Sequence, residues 1–541
     1  MNGTFRLAAM VGMGWAVAWG AAAEPAPQTW KELGAVYECP AWYTEAKLGI
    51  WTHWGPQSHP LRGGGWYARH MYMPDVGSER WGRDAYAYHN ERFGHPSEVG
   101  YKDVLHDWKT PNLDADALLR YFKHDLGARY FVAMANHHDH FDCWDSTHHP
   151  WNSVRVGPGR DLVGEFAAAA KKVGLPFGVS SHDDRHLDWW KPAFGSDPSG
   201  PRKGIPYDGR MTREAGKGTW WEGLDPADLY GLPPERRTPD WIESVRRTWK
   251  QRHIELVEKY DVDLLWFDGH NFPYGEYGRS VCERFFANSL RKHGKVNVVL
   301  AGKPFGLSED DRRGWVLDFE RGVPNEPPGR PFQTITTVRT WFYKQDRDMK
   351  LRHDARTLTE IFADVLSKGG NLLLNIELTG DGRLPPDLKP IYDEFGVWVK
   401  RHAEAIYGSR PWKTPGDNRP EDRKARRQLD ETDLGKADVH GEQFNERTRE
   451  SPAYAKDEVR FTVRGDRLYI FVLNPSPGPI LLPTLGTESA HEPGAITAVR
   501  LLGGGAVRFT QRAEGLELEV PEKRPGPYVS VFEAQGALRA R

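Results

Sequence analysis

The chain has 541 residues, which is too long for one ordinary hydrophobic core and predicts a large domain with at least one smaller domain beside it. Its 73 Lys and Arg residues are balanced by 75 Asp and Glu residues, so the composition gives no support to a nucleic-acid or anionic-membrane partner, which would need a basic stripe. Three cysteines allow at most one disulfide within the chain, and the fold must therefore rest on its core.

Residues 1–23 have the layout of a secretory signal peptide. Arg6 precedes an apolar run from Leu7 to Trp19, and alanines follow at positions 21–23. The run is too short to span a bilayer comfortably, and no other segment approaches the roughly 20 apolar residues of a membrane helix. We therefore expect cleavage after Ala23, no membrane span, and a protein that is secreted or periplasmic.

The mature chain begins with a short predicted strand over residues 46–55, in which His53 stands among aromatic residues. Residues 63–88 follow, rich in Gly, Trp and Tyr and without a clear period, and we predict a long loop there. Long loops in compact domains are usually functional.

Amphipathic helices then alternate with short hydrophobic strands. In the first unit, Asp114 opens a helix with apolar residues at i, i+4 and i+8, and a strand follows at 130–134. The unit is predicted four more times, as the helix and strand pairs 162–173 with 177–179, 240–260 with 264–267, 281–293 with 296–300, and 358–366 with 372–374. Asp240 and Glu243 are the predicted capping pair of the third helix. This alternation predicts an α/β fold with a parallel sheet, and so many units favour a (β/α)8-like TIM barrel, here over residues 24–408.

The character of the chain changes after the barrel. Residues 409–457 are charged, contain Pro and Gly, and show no sustained apolar period, so we predict a linker or loosely packed loop. From residue 458 to 541 short β signals dominate, and Gly465 supplies a hairpin turn between the first two. We predict a C-terminal antiparallel β-sandwich domain.

Asp268 stands at the end of the predicted strand 264–267. In barrels the C-terminal ends of the strands carry the chemistry, because the loops there vary while the strands below hold them rigid. The alternative is that Asp268 caps the next turn, with Gly269 forming the bend.

The most polar cluster of the chain, residues 136–140, follows the strand at 130. Its three His and one Asp would suit zinc, but consecutive residues of an extended segment point to opposite faces, and the chain contains no HExxH motif or Cys-rich partner. Neutral histidines that hydrogen-bond an uncharged polar ligand explain the cluster without a metal, and His53, His182, Trp54 and Trp144 fit the same interpretation. We expect no metal and no cofactor.

A second set of charges lies in the strand-like segment 315–322. Asp318 and Glu320 share one face, and Arg321 takes the other if the segment is regular. A surface salt-bridge cluster is one interpretation. The other is a carboxylate partner for Asp268, since glycoside hydrolysis usually needs two carboxylates flanking the bond.

The chain resembles the alpha-L-fucosidases of glycoside hydrolase family 29 over nearly all of its mature length. The matching motifs occur in the same order at 46–50, 53–55, 66–67, 137–139, 151–153, 160–165, 266–269 and 367–375. The resemblance implies a barrel with a C-terminal β-sandwich, a retaining mechanism without metal, and fucosylated oligosaccharides or polysaccharides as substrates.

The resemblance also implies roles for single residues. Asp268, in the Trp-Phe-Asp-Gly motif, falls at the family's nucleophile. The residues that fall where the family contacts fucose, or on its pocket strand, are His53, Trp66, His137, His138 and Trp266.

Three departures from the family pattern affect the site. Gly65 stands where many members have Glu, and residues 180–182, which end in His182, replace a Tyr-Tyr-Ser run. Gln333 stands in a segment that often holds a Glu, and Gln cannot give up a proton. We therefore expect Glu320 to be the acid/base and Arg321 beside it to be a substrate-binding residue. Asp318 and Glu326 are the next residues to test for the acid/base role.

The favoured function is an exported, retaining exo-glycosidase that removes terminal alpha-L-fucosyl residues by a double displacement with two carboxylates. The same fold acting on a galactose-type sugar or a modified fucose is a second interpretation. A carbohydrate-binding relative with weak or lost catalysis is a third, which Gln333 would permit, and a metal-dependent hydrolase is the last.

Overall fold

The computed structural model describes residues 29–74, 84–183, 185–268, 275–304, 307–345, 349–417 and 453–536. The predicted signal peptide, residues 1–23, lies outside these described residues. So does most of the predicted linker, residues 418–452.

Eight parallel strands close into a barrel, in sequence order around the ring. The strands are β1 Leu48–Thr52, β2 Tyr130–Asn136, β3 Phe177–Ser181, β4 Leu264–Phe267, β5 Val299–Gly302, β6 Val316–Glu320, β7 Phe332–Thr337 and β8 Asn371–Asn375. The ring is closed by β1, which pairs Gly49 with Tyr130 of β2 and with Leu373 of β8. Every residue of these strands is buried, as expected of a parallel sheet covered by helices. The predicted TIM barrel is confirmed.

The described helices are α1 Trp30–Val36, α2 Ala41–Ala46, α3 Tyr67–His70, α4 Ala85–Arg92, α5 Tyr101–Asp107, α6 Ala115–His124, α7 Leu162–Val173, α8 His186–Trp189, α9 Pro226–Tyr230, α10 Pro239–Lys259, α11 Glu276–His293, α12 Ala355–Ser367, α13 Lys389–Arg401 and α14 Ala403–Ile406. Asp114, Asp161 and Asp354 cap α6, α7 and α12, each accepting a hydrogen bond from a backbone N–H of the first turn. The five predicted helix and strand pairs are therefore all present, with shifted ends.

The start of α10 differs from the predicted capping pair. Oγ1 of Thr238, not the side chain of Asp240, accepts from the backbone N–H of Trp241 at 3.2 Å. Pro239 takes the first helical position, where its missing N–H costs nothing. Glu243 instead accepts from Nε of Arg247, one turn further along the helix.

Two other segments differ from their predicted form. The predicted loop of residues 63–88 contains helix α3 and the start of α4 in its described part. Strand β7 was not anticipated, because Gln333, Thr334 and Thr336 interrupt its apolar pattern although all three are fully buried.

Two antiparallel sheets form the C-terminal part. One has the strand order β13-β16-β11-β10-β9 and the other β12-β15-β14. The strands are β9 Arg410–Pro411, β10 Glu458–Arg464, β11 Arg467–Leu473, β12 Gly478–Leu482, β13 Ile496–Leu501, β14 Phe509–Gln511, β15 Leu516–Val520 and β16 Ser530–Gly536. Phe461 and Ile470 of the first sheet share one apolar core with Leu516 and Leu518 of the second, which confirms the sandwich. The hairpin between β10 and β11 turns at Gly465, whose φ is +62°.

A buried ion pair joins the sandwich to the barrel. The guanidinium of Arg460 in β10 contacts the carboxylate of Asp364 in α12, and both side chains are 1% exposed. Nε1 of Trp398 in α13 donates to the carbonyl of Val529 at 2.9 Å. Among the helices of the described ranges, none has both the length and the apolar character needed to cross a membrane.

Candidate active site

A pocket of about 220 Å³ lies where the C-terminal ends of the barrel strands meet. The walls come from the last residues of the strands and from the segments that follow β1 to β7, as expected of a TIM barrel. All nine site residues predicted from the sequence line it: His53, Trp66, His137, His138, His182, Trp266, Asp268, Glu320 and Arg321.

Lys303 links the two predicted catalytic carboxylates. Its Nζ donates to Oδ1 of Asp268 at 2.7 Å and to Oε2 of Glu320 at 2.9 Å. The lysine directly follows β5, and its side chain is 3% exposed. Both charged hydrogen bonds are therefore shielded from water, which strengthens them.

Asp268 is ionised in this environment. Burial would raise the pKa of its carboxyl, but the charge of Lys303 and the hydrogen bond from His182 outweigh burial and hold the pKa well below 3.8. Burial would likewise lower the pKa of Lys303, and the neighbouring carboxylates of Asp268 and Glu320 instead raise it well above 10.5. At neutral pH the pocket thus holds an ionised carboxylate beside a protonated amine.

Three of the predicted substrate-binding histidines are neutral. Burial lowers the pKa of His53 and His137 well below 6.5 and that of His138 to about 3. Gln57 donates through Nε2 to Nδ1 of His137 at 2.9 Å, which leaves the ring proton of His137 on Nε2. In the part of the chain that the structure describes, neither ring nitrogen of His53 has a hydrogen-bond partner. His53 therefore retains unused hydrogen-bonding capacity at the pocket wall.

His182 connects the histidines to Asp268. Its Nδ1 lies 3.1 Å from Oδ2 of Asp268, and its Nε2 lies 3.2 Å from Oγ of Ser180. His53, His137 and His182 each offer a nitrogen, and these atoms lie within 4.8 Å of one another, so the three could hold a metal ion. Both ring nitrogens of His182 already have partners, so a metal bound to this ring would have to displace Asp268 or Ser180. The absence of a metal remains a prediction.

Aromatic rings form the apolar walls of the pocket. Trp266 of β4 meets Trp51 of β1 edge to face, with centroids 4.6 Å apart. Trp66 lies 6.3 Å from His138 on one side, and Trp341 and Phe342 line the other. Flat apolar rings beside neutral polar groups are suited to a sugar.

Two tryptophans that were predicted to accompany the ligand-binding histidines lie outside the pocket. Trp54 and Trp144 are buried in the main hydrophobic core and do not line the pocket. Nε1 of Trp54 donates to the carbonyl of Thr379 at 2.8 Å.

The polar cluster 136–140 is also divided between two surroundings. His137 and His138 face the pocket, but Asp139 accepts a hydrogen bond of 2.6 Å from the hydroxyl of Tyr101. His140, whose φ is +63°, turns away to Asp183, with its Nδ1 2.8 Å from Oδ2. Only the two consecutive histidines thus belong to the candidate site.

Arg321 departs from the expected geometry. On a regular strand it would face away from Glu320, but its φ of +68° turns the chain at the end of β6. Its N–H donates to the carbonyl of Ile335 at 2.7 Å, and its guanidinium lies over Trp341, 5.4 Å from the ring centroid. Glu320 and Arg321 therefore both line the pocket, although they are neighbours in sequence.

The other acid/base candidates do not line the pocket. Asp318 is fully buried and accepts from Nε2 of Gln333 at 2.8 Å, while the hydroxyl of Tyr43 donates to Oε1 of Gln333 at 2.9 Å. Burial raises the pKa of Asp318 to about 7 and outweighs the lowering by the charge of Lys303 and the hydrogen bond from Gln333, while the charges of Asp268 and Glu320 add smaller increases. Glu326 is exposed and outside the lining.

Phe342 fills the space beside Gly65. A Cβ at position 65 would lie 2.9 Å from Cε2 of Phe342 and 3.2 Å from Cε1 of His137. Many members of the family that the sequence resembles have a glutamate at this position. In this chain a glutamate could not fit unless Phe342 moved.

Sequence reasoning missed other residues of the lining, among them Lys303, Trp341, Phe342 and Arg352. For Lys303 a signal was available. It is a single charged residue at the C-terminal end of a buried strand, as Asp268 is.

Comparisons with known proteins place the chain in one family. A family model described as Alpha-L-fucosidase matches residues 16–404. The tissue alpha-L-fucosidase of Rattus norvegicus is 27% identical over 385 residues, which cover 70% of this chain and 72% of that protein. The alpha-L-fucosidase of Branchiostoma floridae is 26% identical over 408 residues, which cover 72% and 77%.

A solved structure of the Thermotoga maritima alpha-fucosidase, in complex with fucose, has the same fold. It is 23% identical, with a TM-score of 0.64, and the match covers 94% of this chain and 99% of that chain. Since the family model spans well over half of the sequence, the chain belongs to the alpha-L-fucosidase family of glycoside hydrolases, as its motifs predicted.

Proposed function

We propose that the protein is an exported, retaining exo-alpha-L-fucosidase in which Asp268 is the nucleophile and Glu320 the general acid/base. The main support for this proposal is that the ammonium group of Lys303 is hydrogen-bonded to both carboxylates inside the pocket.

The spacing of the two carboxylates supports retention. Since the hydrogen bonds from Nζ of Lys303 measure 2.7 and 2.9 Å, Oδ1 of Asp268 and Oε2 of Glu320 are separated by no more than their sum, about 5.6 Å. Retaining glycosidases have carboxyl groups about 5–5.5 Å apart, whereas inverting enzymes need roughly 6.5–9.5 Å to admit a water molecule. The upper limit here falls at the retaining spacing.

In the first step, a carboxylate oxygen of Asp268 attacks the anomeric carbon. The bond from that carbon to the leaving oxygen breaks, and the proton of Glu320 moves to the leaving oxygen. The product is a glycosyl ester of Asp268. The nucleophile is suited to this role because it is ionised at neutral pH.

In the second step, Glu320 acts as a base. It takes a proton from water as the water oxygen attacks the anomeric carbon, and the ester bond to Asp268 breaks. The carboxylate of Asp268 and the proton on Glu320 are both restored, and two inversions give net retention.

The neutral histidines would bind the sugar. His53 and His137 offer donors and acceptors without a charge that would need neutralising. Their hydrogen bonds, together with the tryptophan walls, suit one terminal sugar unit in a pocket of about 220 Å³. This supports attack at chain ends of fucosylated glycans.

The product's configuration tests the proposal. Purified protein is mixed with an aryl alpha-L-fucoside in the NMR tube, and the first-formed fucose should be the alpha anomer. First formation of the beta anomer would reject the double displacement. Asp268→Asn, which keeps the shape of the side chain but not its nucleophilic charge, is the control for a contaminating activity. Export is tested separately, because the periplasmic or secreted protein should begin at Glu24.

A further inference from the structure

We infer that Lys303 is a positioning residue whose single charge serves both carboxylates, holding Asp268 and Glu320 together in the free enzyme and Glu320 alone once Asp268 has become an ester. This inference rests on the proposed function of the two carboxylates and adds a third residue to their cycle.

The backbone of β5 places Lys303 for this role. Gly302, just before it, packs against the end of β4, where a Cβ at position 302 would lie 2.7 Å from the carbonyl oxygen of Phe267. Any larger residue would push the two strand ends apart. The close approach brings Nζ of Lys303 within hydrogen-bond distance of Asp268, the residue after Phe267.

The charges around Lys303 change during the proposed cycle. In the free enzyme its ammonium group stabilises the ionised form of Asp268, which must be anionic to attack. When Asp268 forms an ester, its negative charge disappears. Lys303 is then left with Glu320 as its partner, at 2.9 Å, and its positive charge interacts with the carboxylate that accepts the proton in the second step.

The same charge opposes the first step, in which Glu320 must carry a proton. The ammonium group therefore favours deglycosylation and works against protonation of poor leaving groups. Other titratable or charged groups face these three residues from the surrounding strands and loops: His53, His137, His138, His182, Asp318, Arg321 and Arg352.

The test compares Lys303→Met and Lys303→Arg with the wild type. The pH dependence of kcat/KM is measured with an activated aryl fucoside, whose leaving group needs no proton, so that the acidic limb reports the ionisation of the nucleophile. Lys303→Met should move the midpoint of this acidic limb to higher pH by about 1–3 units, because the positive charge beside Asp268 is lost. Lys303→Arg should return the limb close to its original position.

Turnover provides a second readout. In Lys303→Met the ester intermediate should accumulate, so that kcat and KM fall together, with kcat reduced on the order of 10²-fold. An unmoved acidic limb with unchanged kcat would overturn the inference and leave Lys303 as a space-filling residue. If Lys303→Met does not fold, Lys303→Gln carries the same test, because it keeps a hydrogen-bond donor and removes the charge.

Lys102→Met is the matched control. Lys102 is equally buried, with its side chain 1% exposed, and lies near Asp208 at 3.5 Å outside the pocket. Its loss should lower stability without moving the acidic limb.

The inference can fail without the proposed function failing. A 2-deoxy-2-fluoro-fucosyl donor with a good leaving group should attach one sugar to Asp268 of the wild type, detected by mass spectrometry of peptides. No labelling would refute the proposed function. Labelling of the wild type together with a normal pH profile in Lys303→Met would refute only the role of Lys303.

Discussion

Replacing Asp318 by Asn should make the protein more resistant to alkaline pH. Asp318 is fully buried behind Glu320, and burial raises the pKa of its carboxyl to about 7. Below that pH the side chain is neutral, and Asn has nearly the same shape as a neutral Asp. The amide oxygen of Asn can still accept the hydrogen bond from Gln333.

The size of the effect follows from the two pKa values. The carboxyl titrates near 3.8 when unfolded and near 7 when folded, so the folded state holds the proton more tightly. Stability from this group is therefore complete below pH 3.8 and is lost as pH rises through 7. The loss amounts to about 4 kcal/mol in all, at about 1.4 kcal/mol per pH unit. The Asp318→Asn variant has no carboxyl proton to lose, so it should not show this loss of stability as pH rises.

The assay is the difference in urea unfolding between the two proteins at pH 4.5 and pH 8.5. The variant should gain roughly 3 kcal/mol relative to wild type between these values. Other buried carboxyls with a pKa near 7, such as Asp139 and Glu377, are common to both proteins and cancel in the difference. A difference that does not change with pH would show that Asp318 is not protonated in the folded protein.

The same variant tests the assignment of the acid. At pH 6 Asp318 is already mostly neutral, so Asp318→Asn should keep its activity on fucosides with poor leaving groups. A selective loss of about 10²-fold or more on those substrates would make Asp318, not Glu320, the proton donor.

Three further predictions concern the pocket. Glu320→Ala should slow poor leaving groups on the order of 10²–10⁴-fold and activated aryl fucosides far less, and azide should partly restore its rate; equal slowing of all substrates would place the acid elsewhere. Exhaustive EDTA treatment should leave activity intact. His137→Ala should lower kcat/KM without releasing an ion. Stoichiometric zinc found by elemental analysis would contradict both expectations. Gly65→Ala should lower kcat/KM on the order of tenfold, because the new methyl group displaces Phe342 or His137, and an unchanged value would mean that Phe342 moves freely.

The residues that the sequence could identify share a visible pattern. Asp268 ends a run of four apolar residues, and His137 and His138 follow another, so the pattern placed all three at strand ends, although for Asp268 a turn-capping role stayed open until the rest of the chain was considered. The family motifs then added Trp66 and Trp266. All of these residues line one pocket.

The position of Lys303 at a strand end is visible in the sequence, but its contact with both carboxylates is not. Its partners stand 35 and 17 residues away in sequence, and only closure of the barrel brings them onto one nitrogen atom. Arg321 shows a second limit. Side chains alternate between the two faces of a regular strand, and the left-handed backbone of Arg321 breaks this alternation, so its face could not be predicted from its position. Strand β7 shows a third, since buried Gln and Thr residues replace the apolar run that marks the other strands.

The larger C-terminal sheet bears on how the molecule would respond to a cut in its backbone. β9 precedes residues 418–452, while its partner β10 follows them, and Arg460 of β10 also holds Asp364 of the barrel. A single proteolytic cleavage within that interval would leave every one of these pairings in place. The two pieces would then act as complementing fragments that migrate as one particle in gel filtration and separate only in denaturant.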